Sequence, residues 1–138
     1  MKSLLLLSLV LVVSTQVNAQ EQQAYVELGQ YKAVDAETQT THSDFVLRAD
    51  GTVNFKIRTP DFTMPEPGCE GTYKVEGHKF TAHLVCPTAI LPEATVEIDI
   101  TNVTPESIRS VKGAEVDVTV DALSEEPVKY LLHKNDPK

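Results

Sequence analysis

This 138-residue chain has no tryptophan and only two cysteines. Without tryptophan, a packed interior must be built from four phenylalanines, four tyrosines and aliphatic side chains. The two cysteines, Cys69 and Cys86, are too few and too far apart for a cysteine-rich zinc centre or for the C-x-x-C of a thioredoxin-type redox pair. Basic residues are the minority, 12 against 20 acidic, for a formal net charge of −8. That balance disfavours nucleic acid and anionic membranes as partners. There is no HExxH, no G-x-S-x-G elbow and no glycine-rich phosphate loop. No enzymatic activity, cofactor or metal site is therefore expected.

The one long apolar run is at the start, "MKSLLLLSLVLVVSTQVNA". A basic first segment, a short apolar core over 4–13 and small residues at Val17 and Ala19 make a secretory signal peptide, cut after Ala19. The apolar core is too short for a membrane span, which needs about twenty residues. Residues 1–19 are thus expected to be removed, leaving 20–138 as a single domain. The destination is secreted or periplasmic, with no stable membrane insertion.

Beyond that segment no helical period stands out. Alternation of apolar and polar residues recurs instead, punctuated by glycine turns, which predicts an all-β domain. In "SDFVLRADGTVNFKIR" a three-residue loop, 49–51, sets Leu47 against Val53 and Phe45 against Phe55, so one whole face is apolar. It also puts Gly51 where a type I turn with a bulge needs positive φ. A similar count in "SIRSVKGAEVDVTV" predicts a hairpin with loop 111–113, Ile108 opposite Val116 and Arg109 opposite Glu115.

In "CEGTYKVEGHKFTAHLVC" a Gly77-His78 turn sets Val75 against Phe80, Tyr73 against Ala82 and Gly71 against Leu84. The next pair outward is Cys69 and Cys86, at a non-hydrogen-bonded site where Cα atoms lie about 4.5 Å apart, within disulfide range. Export supplies the oxidising compartment. A structural disulfide follows.

Further strands are expected at 24–34, 94–102 and 127–134, the last with Val128, Tyr130 and Leu132 on one face. The proline-bearing segments 59–68 and 87–93 read as loops. About eight to nine antiparallel strands in an up-and-down meander must curl to cover their apolar face, and closure into a small barrel removes the exposed edges. A Greek-key sandwich is the competing architecture.

Gly29-Gln30-Tyr31 in the first strand is similar to the G-x-W that opens lipocalin barrels. The serial hairpins and a last strand containing Tyr130, returning beside the first, extend the likeness over most of 24–134. The chain thus resembles a small bacterial secreted lipocalin-like (calycin-type) β-barrel protein. It departs from that pattern in carrying Tyr31 in place of the tryptophan, and Lys134 where an arginine stacks on it. The resemblance implies binding of small apolar molecules.

Two kinds of site follow. The inward residues Phe45, Leu47, Phe55, Tyr73, Phe80, Ala82, Leu84, Ile98 and Tyr130 either line a cavity for a small hydrophobic ligand or fill the barrel themselves. The loop "DFTMPEPG" carries Phe62 and Met64 beside prolines. These either form a contact surface for an envelope protein, as an interaction or inhibitor module would, or plug the barrel mouth. A filled centre points to surface binding. His42, His78, His83 and His133 are scattered and read as solvent-exposed. Glu97, Asp99, Glu115 and Asp117 read as a solvated acidic face.

Overall fold

The structure, a computed structural model, describes residues 24–89, 91–123 and 125–135. The expected signal peptide, 1–19, lies outside the described residues. Eight strands follow one another as β1 (Gly29–Asp35), β2 (Thr41–Leu47), β3 (Thr52–Ile57), β4 (Cys69–Glu76), β5 (Lys79–Val85), β6 (Glu93–Asp99), β7 (Ala114–Val120) and β8 (Val128–Asn135). Each pairs antiparallel with its neighbours in sequence, and β1 pairs with β8, so the sheet is a closed barrel. Closure removes the unpaired edges that a meander would otherwise expose.

The β2–β3 register is the expected one, Phe45 opposite Phe55 and Leu47 opposite Val53, and Gly51 has φ +85°. Asp50 completes this turn by accepting hydrogen bonds from the Thr52 amide (3.0 Å) and hydroxyl (2.6 Å). The β4–β5 hairpin also holds, with Val75 opposite Phe80, Tyr73 opposite Ala82 and Gly71 opposite Leu84. Just beyond it Cys69 and Cys86 form a disulfide with a Cα separation of 4.1 Å. At Gly71 a Cβ atom would run into the backbone carbonyl oxygen of His83. Gly71→Ala is therefore expected to force the two strands apart and cost about 1–3 kcal/mol in urea unfolding. A neutral result would refute this close approach.

The predicted hairpin at 107–120 does not form. Residues Ser107–Arg109 are a short 3-10 turn inside the long β6–β7 connection, and β7 pairs with β6 and β8 instead. The cause is local. The Thr104 amide donates to the Ser107 hydroxyl (2.8 Å) and the Ser107 amide to the Thr104 hydroxyl (2.9 Å), a reciprocal pair that winds the chain around Pro105. Ile108 is completely buried and belongs to the core, but it faces no strand partner. Arg109 does not meet Glu115, which pairs with Lys112 and Lys129. Losing that hairpin reduces the strands to eight.

Two strand ends also move. Strand β1 starts at Gly29, so 24–28 is a separate strap. Val128 is 40 % exposed at the barrel rim rather than inside.

Candidate functional site

The alternating inward residues meet in the barrel centre and fill it. Phe45, Phe55, Phe80, Ala82, Leu84 and Ile98 surround a void of only about 10 Å³, room for one water at most. Tyr31 stacks on Phe45 (centroids 5.0 Å apart) and Tyr73 on Phe80 (5.3 Å). Of the nine residues proposed as lining, eight are buried. Tyr73 is half-buried at the rim, where its hydroxyl donates to the Arg48 carbonyl oxygen at 3.3 Å. A pocket for a drug-sized molecule needs about 300–1,000 Å³. The expected lining residues are thus brought together as a packed core.

At the end that carries the 58–68 and 86–92 connections, Met64 closes the interior. It is 3 % exposed, its amide donates to the Ile57 carbonyl oxygen (2.9 Å), and its Sδ lies 3.3 Å from the Sγ of Cys69. Of the two readings of Met64, contact residue or plug, its burial beside the disulfide matches the plug. Phe62 stays half-buried, packed against the core. Beside this loop, a surface groove of about 440 Å³ runs past Asp44, Asn54, Lys56, Arg58, Thr63 and Glu66. Its walls are tied by the ion pairs Arg58–Asp44 and Lys56–Glu66 (2.6 Å).

The opposite end is covered by the strap. Tyr25 and Val26 are half-buried over Phe45, Leu47, Phe80, Ile98, Ile100 and Leu132, leaving an almost wholly apolar void of about 20 Å³. Glu27 fastens this cover. Its carboxylate accepts hydrogen bonds from both terminal nitrogens of Arg109, one at 3.0 Å, and from the Tyr25 hydroxyl. Lys134 Nζ lies 3.7 Å from the same carboxylate, and the Tyr31 hydroxyl donates to the Glu27 carbonyl oxygen.

The Lys134 side chain is only 4 % exposed, and its Nζ sits 5.7 Å from the Tyr31 ring centroid. The two residues are directly opposite across the β1–β8 seam. Gly29 makes room for this cation. A Cβ there would lie 2.9 Å from Nζ, and the glycine's φ is +113°.

Hydrogen bonding from Arg109, then from Tyr25, lowers the Glu27 carboxyl from 4.5 to about 2. A carboxyl that titrates lower in the folded chain stabilises it fully above its unfolded value, and that contribution fades as pH falls from about 4.5 toward 2. Strap amides are therefore expected to exchange faster as pH falls through this window, relative to their intrinsic rates. Glu27→Gln is expected to abolish that pH dependence at the strap. Unchanged pH dependence in the variant would remove Glu27 as its source.

Three of the histidines expected in solvent, His42, His78 and His133, are half-buried. His42 stacks on Tyr130 (4.8 Å), and burial pushes its imidazole down. His133 lies against Gly113, and burial followed by the charge of Lys32 lowers it. On the outer wall, Glu76, Lys79, Glu97, Asp99 and Asp117 border a second groove of about 440 Å³. Among the described residues no group of three or more side chains is placed to hold a metal ion.

These features define an eight-stranded antiparallel meander barrel, closed through β1 and β8 and consistent with a lipocalin-like fold. No protein-family model, curated protein or solved structure matches the chain. The disulfide is compatible with an extracellular or periplasmic setting. Among the described residues no helix is long and apolar enough to cross a membrane.

Proposed function

We propose that this is a non-enzymatic exported binding protein that acts through its outer surface, at the groove beside loop 59–68. One contrast carries the reading: the central void is about 10 Å³, whereas the groove is about 440 Å³. The partner is an envelope or secreted protein. Phe62 supplies a half-buried aromatic anchor, and Lys56 and Arg58 supply polar contacts at its side. Aromatic and arginine side chains at partly desolvated positions carry most of the energy in such interfaces.

Capture of a partner from the native envelope is expected to fail with Phe62→Ala combined with Lys56→Glu, while the wild-type chain retains it. Capture that is indifferent to both changes would move the contact elsewhere.

A second reading is favoured by a specific observation, the apolar void beneath the strap. In it, the lipocalin-like barrel takes a small apolar molecule, at the strap end rather than in the centre. Tyr25 and Val26 must then leave, because about 20 Å³ admits no such molecule.

A further inference from the structure

The groove beside loop 59–68 is crossed by a row of side-chain amides. Outward residues of neighbouring strands stand opposite one another, and one such row runs Asn135, Gln30, Val46, Asn54 across β8, β1, β2 and β3. The described residues hold five side-chain amides: Gln30, Gln39, Asn54, Asn102 and Asn135. Three of the five belong to this row, and all three line this groove. Gln30 and Asn135 are exposed, and among the described residues no hydrogen bond engages either side-chain amide. Asn54 donates its amide hydrogens to the Pro67 carbonyl oxygen (2.7 Å) and to Glu70, which leaves Oδ1 as an acceptor.

We propose that this groove binds a neutral oligosaccharide of N-acetylated hexosamine units, carried by the envelope partner. This rests on the surface reading above and names what the groove itself holds. Phe62 stands beside the groove and keeps the protein contact.

The charges of the groove are balanced. Lys56 is paired with Glu66 and Arg58 with Asp44, so an ion entering here would have to displace an existing partner. Neutral hydrogen-bonding capacity is what remains. A side-chain amide offers two donors and an acceptor oxygen, which suits sugar hydroxyls that both donate and accept. An acetamido group adds an N–H, a carbonyl oxygen and a methyl. Val46, half-buried between Gln30 and Asn54, provides the apolar spot for that methyl. Adjacent strands lie about 4.8 Å apart, close to the length of one hexopyranose unit. A sugar chain laid across the four strands therefore sets successive units over successive members of the row. The second groove, bordered by Glu76, Glu97, Asp99 and Asp117, is lined by no amide side chain.

The test is an NMR titration of the disulfide-bonded protein with chitotetraose and with cellotetraose, a matched chain that has hydroxyls in place of the acetamido groups. Chitotetraose is expected to give saturable shifts at the side-chain amides of Gln30, Asn54 and Asn135 and at the Val46 methyls. Glu97 and Asp117 should not respond. Cellotetraose should bind about tenfold or more weakly, because it lacks the acetamido hydrogen bonds. Gln30→Ala and Asn135→Ala should each weaken chitotetraose about three- to tenfold, the range of one hydrogen bond, with the sheet signature unchanged.

Equal binding of the two tetrasaccharides would overturn the N-acetylated class. Binding indifferent to Gln30→Ala/Asn135→Ala, or shifts centred on Glu97 and Asp117, would overturn the site. No saturable binding of either tetrasaccharide by the wild-type chain would overturn the proposal entirely. Capture of the envelope partner that depends on Phe62 would then still stand, so the two readings fail separately.

Discussion

Cys69→Ala/Cys86→Ala is expected to lower the unfolding free energy by about 2–5 kcal/mol, the usual cost of a native disulfide in a small exported domain. The loop it closes spans a sequence separation of 17, for which chain entropy alone predicts about 3 kcal/mol. The folded form should survive the change. The β4–β5 pairing continues from Glu70 with Val85 through to Glu76 with Lys79, so the strands are aligned without the sulfurs. Truncation adds a packing cost because Cys69 is completely buried and touches Met64. Urea unfolding of the double variant beside the oxidised wild type measures the difference. A loss below about 1 kcal/mol would mean that the denatured chain is already held together by other contacts.

Ile108→Ala is expected to be comparably severe, about 2–5 kcal/mol. Its side chain is fully buried although it lies in a 3-10 turn of a connection, and it is among the largest fully buried side chains of the barrel. The substitution removes its transfer free energy and leaves a cavity beneath the β6–β7 connection. It also loosens the next residue, Arg109, and with it the hold on Glu27. Hydrogen exchange should therefore rise in the strap as well as in 100–113, whereas Gly71→Ala should act first on β4 and β5. Exchange confined to 100–113 would separate the anchor from the latch.

Two hairpins were legible in the sequence because their information is local. Alternation fixes the inward face, and a glycine at a countable distance fixes the register. A single-residue slip would have turned Phe45 and Leu47 toward water. The disulfide followed from the same count, since Cys69 and Cys86 are the next non-hydrogen-bonded pair after Gly71 and Leu84. Gly113 does have the expected positive φ, +90°, but the strand counted before it is a turn. Ile108 has the spacing of a strand residue, and the competing signal was Thr104-Pro105-Glu106-Ser107, whose two hydroxyls close on each other's amides.

The candidate sites were harder to read. Tyr31 and Lys134 were visible as the seam between first and last strands. Glu27 and Arg109 were not, since they are 82 positions apart and neither belongs to a strand. Met64 was equally suited to a contact loop or a plug. The choice turned on whether the loop returned to the barrel, which it does through the Arg58–Thr63 bridge and the Met64 amide.

By itself, the sequence determined the all-β class, the faces of the strands, two hairpin registers and the cysteine pairing, because each depends on neighbours along the chain. Only the tertiary structure decided that the barrel centre is full, that Met64 seals one end and that Glu27 latches the other. Those outcomes depend on the summed volume of side chains from all eight strands, and on charges that approach one another only when β8 closes onto β1.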